Sequence, residues 1–238
     1  PAVVVLAAGP VEIVVEGVDG EARKNVLEAL TLPPGLVKDG KADRLWLERF
    51  VRQAGRKVPA ALEPFGYYSA RAVVLIETPE ADEYRLRVQI EPGQPAVVSG
   101  VSVTVAGSGA SETTLAALAA DFPVRKGDAL SHPLYEKAKQ ALKSRAEELG
   151  YLDAAYTVHE IRVDEAGLSA VITLVLETGE KYFFSTTTIE GAPDYPDAFL
   201  RRYLAFQPGE AFSYTRMAES QLQLNNSERF RRVSVQAD

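Results

Sequence analysis

Cysteine is absent from the 238 residues. That removes disulfides, thiolate nucleophiles and thiolate metal ligands together. It fits a reducing cytosol and an oxidising periplasm alike. Histidine occurs only as His132 and His159, and two isolated histidines give no zinc spacing. His132 precedes a proline and reads as a turn residue at a helix start. His159 reads as a strand-face residue in phase with Thr157, Ile161 and Val163. No apolar run approaches the ~20 residues of a membrane helix. The nearest, residues 3–8, reads as a strand in preference to the tail of a signal-peptide apolar region. Phosphate loops, dinucleotide fingerprints and G-x-S-x-G elbows are missing, and Gly107-Ser108-Gly109 reads as a strand-to-helix turn. Positive charge is in deficit: 26 Lys and Arg stand against 33 Asp and Glu, a formal net charge of −7. A nucleic-acid binder usually leaves a basic footprint, so none is expected as a partner. The carboxylate pairs Asp82-Glu83, Glu147-Glu148 and Asp164-Glu165 read as solvated turns and helix surface. The sequence therefore predicts no catalytic residue, no metal, no cofactor and no small-molecule substrate: a binding protein, not an enzyme.

What is present is repetition. Gly17, Gly107 and Gly191 recur at intervals of 90 and 84 residues, and each closes an extended run: 11–17, 101–107 and 182–191. A period of this size points to tandem modules. After each glycine comes a short helical pattern, carrying Val26, Leu27 and Leu30, then Leu115, Leu118 and Ala119, then Phe199, Leu200 and Leu204. Apolar residues at such spacing predict one buried stripe per helix. A second helix follows each. In the first repeat its stripe is Leu47, Phe50, Val51, Ala54, Val58, Leu62 and Phe65, and Pro59 predicts a kink or break. In the middle repeat it is Tyr135, Ala138, Leu142, Ala146 and Leu149, closed by Gly150. In the third it spans about 215–224, ended by Asn225-Asn226.

Strand pairs then close the first two repeats: 72–78 with 84–91, and 155–163 with 168–177 across a turn at 164–167. Tyr84, Leu86, Val88 and Ile90 alternate with Arg85, Arg87, Gln89 and Glu91, as in a sheet with one face on helices and one in water. The third repeat supplies only 230–235. Each repeat reads β-α-α-β-β, an α+β module with two helices on a three-stranded mixed sheet. The expected modules are 1–97 with a short N-terminal extension, 98–180, and 181–238 lacking its last strand. In this order the third strand is central and the second is left at the sheet edge. Ending at Asp238 therefore predicts a slot between 182–189 and 229–235. Either the third repeat is poorly ordered beyond about Phe212, or a strand from another molecule fills the gap.

This order of elements resembles the POTRA domain. Gly66-Tyr67-Tyr68 and Gly150-Tyr151-Leu152-Asp153 resemble its glycine-aromatic helix closure, although Arg229-Phe230 stands there in the third repeat without the glycine. Arg125-Lys126-Gly127-Asp128-Ala129-Leu130 and Gln207-Pro208-Gly209-Glu210-Ala211-Phe212 resemble its inter-helix link. Ile90-Glu91-Pro92-Gly93-Gln94-Pro95 and Glu177-Thr178-Gly179-Glu180-Lys181-Tyr182 resemble its inter-module junction. The resemblance is strongest to the TamA-type family, the outer-membrane subunit of the translocation and assembly module. It includes Val15-Glu16-Gly17 and Lys24-Asn25-Val26. BamA-like and two-partner-secretion arms are the neighbouring readings, and a non-transport POTRA scaffold is the alternative of another class. The resemblance implies a periplasmic arm of an outer-membrane protein that aids insertion of barrel or autotransporter proteins. It also implies a partner of the TamB type anchored in the inner membrane, client outer-membrane proteins, and a C-terminal β-barrel of the protein's own that these residues do not contain.

Strand addition to an exposed sheet edge would suit such a handler, because main-chain hydrogen bonds make little demand on client sequence. The candidate contacts are Val73, Val74 and Leu75 on one edge strand and Tyr156, Val158 and Ile161 on the other. Pro79, Glu160 and Arg162 partly guard these edges. The basic concentration Arg201, Arg202, Arg229, Arg231 and Arg232 is the candidate contact to barrel or lipid headgroups. The junctions at 92–98 and 178–182 contain no Gly/Ser-rich linker, which predicts a semi-rigid, extended array. Small-angle scattering that returned the radius of gyration of a compact globule would contradict that expectation.

Overall fold

The computed structural model describes residues 4–80, 82–166 and 168–237, with side chains from residue 9 onward. Val3 and Gly167, placed above in a strand and a turn, lie outside the described residues. The fold is α+β, in two compact units. The first comprises Pro1–Val101, Val124–Tyr135 and Ile161–Val171, and the second Ser102–Pro123, Glu136–Glu160 and Ile172–Asp238. The division passes through the middle sequence repeat, whose strands contribute residues to both units.

In the first unit, strands β1 (Val4–Ala8), β2 (Val11–Glu16), β5 (Arg71–Glu77) and β6 (Tyr84–Glu91) form a mixed sheet in the order β1-β2-β6-β5. Strand β6 is central to the repeat. It pairs parallel to β2, from Val11↔Tyr84 to Glu16↔Gln89. It pairs antiparallel to β5, from Arg71↔Glu91 to Glu77↔Arg85. The parallel partner is allowed because two helices separate β2 from it in sequence. Alternation along β6 sets the faces: Leu86, Val88 and Ile90 are buried, with Ile13 and Val15 of β2 beside them in one core. The sheet has four strands, not the expected three, because β1 folds back antiparallel on β2.

Helices α1 (Gly20–Ala29) and α2 (Arg44–Leu62) cover this sheet. Between them lies a two-residue hairpin, β3 (Val37–Lys38) with β4 (Lys41–Ala42), too short to carry a periodic signal. The Asp43 carboxylate accepts hydrogen bonds from the Leu45 and Trp46 amides at 2.9 and 3.1 Å and so starts α2. Its buried stripe is Leu47, Phe50, Ala54, Val58 and Leu62. The leucine, phenylalanine and valine side chains among them each contribute on the order of 1.5–3 kcal/mol when fully buried. The break expected at Pro59 does not occur: α2 is continuous to Leu62. Proline there forfeits one amide bond, but Val58, Ala61 and Leu62 on either side remain anchored in the core. Asn25 of α1 also donates to the Ala61 carbonyl at 2.7 Å, satisfying one acceptor of the last turn.

The middle repeat has strands β7 (Val97–Ala106), β8 (Ala155–Asp164) and β9 (Ser169–Glu177) in the order β7-β9-β8. Its helices are α3 (Thr113–Ala120) and α4 (His132–Glu148). Leu115 is the buried contact of α3, and Leu118, expected in the stripe, is exposed. A helix of two turns presents too short a face for the full pattern. In the third repeat, α5 (Asp197–Leu200) continues into a 3-10 turn at Arg201–Tyr203, and α6 (Tyr214–Asn226) follows. A helix thus forms beyond Phe212. The strands expected at 182–189 and 230–235 do not: the former makes one isolated bridge, Phe183↔Ala211. Both were expected to pair through a central strand, and no described residue supplies one.

The two junctions are stitched alike. In the first unit, the Ala96 amide donates to the Gly66 carbonyl at 2.9 Å and the Leu130 amide to the Ala96 carbonyl at 2.9 Å. The Val98 amide donates to Asp128 and the Gly127 amide to Val98, each at 2.8 Å. In the second unit, Tyr182 donates to Gly150 at 2.8 Å and Phe212 to Tyr182 at 2.9 Å. Phe184 donates to Glu210 at 2.9 Å and Gly209 to Phe184 at 2.7 Å. The residue after each junction is held between the glycine closing the previous helix and the next inter-helix link.

Gly150 has φ +98°, and a Cβ there would lie 2.9 Å from the Tyr182 carbonyl oxygen. Gly191 has a similar φ of +81°, but a Cβ there would meet nothing within 4 Å. Alanine at either position incurs roughly 1–3 kcal/mol of backbone strain, and only Gly150→Ala must also displace the junction. Thermal melting is expected to rank Gly150→Ala below Gly191→Ala, with amide protection lost at Tyr182 and Phe212. Equal melting temperatures would show that the stitched junction does not limit stability.

Candidate peptide-binding edges and groove

Three places present backbone or apolar surface. The first is β5, the terminal strand of its sheet beside β6. Val74 turns inward against the core, whereas Val73 and Leu75 are 56% and 44% exposed. Their face is otherwise an ion-pair network. Arg85 donates to Glu12 at 2.5 Å, and Arg87 lies 3.0 Å from Glu77 and 3.8 Å from Glu16. The Arg85 pKa is raised, first by the hydrogen bond to Glu12.

The second is β8, the terminal strand beside β9. Tyr156 faces inward, donating its hydroxyl to the Lys139 carbonyl at 2.6 Å and packing on the core of Leu115, Leu142 and Ala146. It is a core residue, so its side chain is not a free contact. Val158 and Ile161 are half-buried, and Glu160 and Arg162 are exposed. The expected phase of His159 with Ile161 and Val163 fails. Residues 159 and 160 are both exposed, and the alternation resumes one position out of step. His132 opens α4 as expected.

The third place lies within the second unit. Segments 182–192 and 230–237 border a cavity of about 680 Å³. Its apolar lining includes Phe184, Phe206, Phe212 and Met217. Phe184 stacks on Phe206 at 3.9 Å between ring centres and lies 4.9 Å from Phe212. The three repeat glycines measure what this groove lacks. A Cβ on Gly17 would stand 2.0 Å from the Ile90 carbonyl oxygen of β6. A Cβ on Gly107 would stand 2.0 Å from the Glu177 carboxylate at the end of β9. Gly191, the equivalent, faces open space.

The five predicted arginines are all exposed. Arg201 pairs with Asp197 at 2.6 Å and donates to the Thr187 carbonyl. Arg229 lies 5.4 Å above the Phe199 ring, and Arg232 lines the groove. Among the described residues no group of three His, Asp or Glu side chains could hold a metal ion, and no helix is long and apolar enough to cross a membrane.

Sequence reasoning missed the cluster at the second junction. Glu112 accepts from Lys181 Nζ at 2.6 Å and from the Tyr151 hydroxyl at 3.1 Å. Lys181 also lies 5.2 Å over the Tyr151 ring. These residues are 39 and 69 positions from Glu112, and no local pattern joins them. The hydrogen bond from Lys181 is the main reason the Glu112 carboxyl pKa lies below 4.5, its ordinary value. A lowered folded-state pKa contributes stability above the unfolded value, lost as pH falls through the folded one. Acidification from pH 5 toward pH 3 is expected to weaken this junction, with less of that loss in Glu112→Gln. Melting temperatures against pH that run parallel for the two proteins would contradict this.

Residues 12–92 match the family described as POTRA domain, TamA domain 1. Three solved structures are similar over 93% of this chain and 86% of their own. BamA POTRA domains 3–5 from Haemophilus influenzae share 17% identity at a TM-score of 0.45. The N-terminal domain of Omp85 from Thermosynechococcus elongatus shares 19% at 0.31. POTRA domains 1–3 of the periplasmic domain of Omp85 from Anabaena share 19% at 0.32.

Proposed function

We propose that the chain is an array of three POTRA modules, 1–97, 98–180 and 181–238, forming the periplasmic arm of an outer-membrane assembly factor of the TamA type. It binds partner or client polypeptide by strand addition and hands it toward barrel insertion. The partner is of the TamB type, and the clients are outer-membrane proteins. The observation that carries the reading is the pair of terminal strands, β5 and β8, each beside a central strand. The POTRA match of residues 12–92 supports the placement of the first module.

An edge strand offers unpaired amides and carbonyls as a template for another chain. On β5, Val73 and Leu75 add exposed apolar contacts on alternate positions, the spacing at which an added strand presents side chains to one face. On β8 the contribution is main-chain, because Tyr156 is committed to the core. The arginines Arg201, Arg202, Arg229, Arg231 and Arg232 would face the barrel or lipid headgroups.

Val73→Pro and Val74→Pro, made separately, test the edge, because successive amides of a strand point to opposite sides. One variant removes an outward donor and leaves the ladder to β6 intact. The other breaks that ladder. Loss of crosslinking to a client without loss of secondary structure is expected in one of the pair, and on β8 Val158→Pro is expected to lose crosslinking as well. Client crosslinking that persisted in all three variants would overturn strand addition.

A further inference from the structure

We propose that the exposed face of α2 is a second docking surface, which takes an acidic polypeptide segment carrying an apolar anchor residue. It is distinct from the sheet edges of the function proposed above. Helix α2 carries Arg44, Arg49, Arg52, Arg56 and Lys57 against a single acid, Glu48, in a chain of net charge −7. Glu48 pairs with Arg44 at 3.3 Å. Arg49, Arg52, Arg56 and Lys57 are exposed and make no ion pair among the described residues. Arg49, Arg52 and Arg56 follow at three- and four-residue spacing, so they stand in one line along the helix.

At the start of that line Leu45 and Trp46 are 68% and 45% exposed. Trp46 borders a depression of about 420 Å³ whose walls include Pro34, Leu36, Lys38 and Lys41. A notch of mixed lining thus adjoins the cationic row, with Trp46, Pro34 and Leu36 as its apolar walls and Asp43, Lys38 and Lys41 also bordering it; Lys41 is paired with Asp82 at 3.3 Å. Trp and Arg are the side chains that most often dominate binding energy at interfaces. The usual explanation for exposed charge, a solvated face laced with opposite charges, does not cover Arg49, Arg52, Arg56 and Lys57, because Glu48 is taken by Arg44.

The chemistry favours carboxylates on a polypeptide over an anionic membrane. A helix that lies in a bilayer interface needs its apolar face in the lipid. The apolar face of α2, Leu47, Phe50, Ala54, Val58 and Leu62, is already buried in the protein core. Four of the five cations are arginines, whose planar fork matches a carboxylate in two parallel hydrogen bonds. Along α2 the row from Arg49 to Arg56 rises about 10 Å, within reach of acidic side chains on two turns of a helix or on alternate residues of a strand.

The probe is a fluorescent 16-residue peptide of repeated Glu-Leu-Glu-Glu, titrated against the 238-residue chain. Its Lys-for-Glu counterpart serves as control, and phosphatidylglycerol vesicles are tested in parallel. Saturable binding of the acidic peptide is expected, weakening as salt rises. The charge reversal R49E/R52E/R56E is expected to lose about tenfold or more, roughly 1.4 kcal/mol, and Trp46→Ala several-fold. R49K/R52K/R56K keeps the charge and loses the fork, so it is expected to fall between. Glutamate is a good helix former, and unchanged circular dichroism would confirm the fold of each variant. Equal peptide binding by the folded charge-reversal variant would overturn the proposal. So would vesicle binding that depends on these arginines while the peptide does not bind. Of Val73→Pro and Val74→Pro, the variant that keeps the ladder from β5 to β6 also keeps the support of α2, and retained peptide binding in that variant separates this surface from the sheet edge.

Discussion

The integrity of each repeat depends on a strand that is central in space but last in sequence. In the first repeat β2 and β5 are not paired with each other; each pairs with β6, one parallel and one antiparallel. In the middle repeat β9 stands between β7 and β8. The glycine after each first strand presses close to the end of that central strand, at the Ile90 carbonyl and at Glu177 with Thr178. Where no central strand is found among the described residues, the flanking segments 182–190 and 232–237 stay outside any ladder. The helices of that third repeat still form. Their hydrogen bonds are local, and Met217 of α6 packs with Phe184, Phe206 and Phe212. Strand pairing is non-local and has no such independence.

Much of this order was legible because alternation and helical spacing are direct records of burial. The pattern of β6 placed Leu86, Val88 and Ile90 inside, and the stripe from Leu47 to Leu62 placed α2. The edge positions of β5 and β8 followed from connection logic alone. What escaped was whatever depended on neighbours distant in sequence. Pro59 sits in a continuous helix because its surroundings hold it. β1 joins the sheet because β2 had a free side. Tyr156 looked like an edge residue until the Lys139 carbonyl was found above it. The arginines of the third repeat stood out because they are adjacent in the chain. Those of α2 did not, because only the helix brings residues 49, 52 and 56 into line.

The junctions show the same contrast from the opposite side. Their sequence words are short, yet each specifies a turn rather than a packing. Gly66 and Gly150 take the left-handed conformation, and so do Gly127 and Gly209 in the inter-helix links. The backbone bonds they permit recur pair for pair, Ala96 matching Tyr182 and Leu130 matching Phe212. Main-chain stitching tolerates divergence of side chains, so alanine and tyrosine can occupy equivalent places. The side-chain cluster of Glu112, Lys181 and Tyr151 is an addition at the second junction, built on that common frame.

The two proposed kinds of surface divide the work of recognition. A sheet edge offers the same donors and acceptors whatever the side chains, so it holds many extended segments and discriminates little among them. A row of guanidinium groups beside a tryptophan notch discriminates by charge and shape but demands those features of its partner. In the first repeat α2 packs against β5, so both surfaces are built on one helix–strand pair. Neither draws on the residues that hold the pair together. Leu47, Phe50 and Val58 of α2 and Val74 of β5 face the core, while Arg49, Arg52 and Arg56 and the side chains of Val73 and Leu75 face solvent. That separation lets one surface change its selectivity without cost to the fold or to the other.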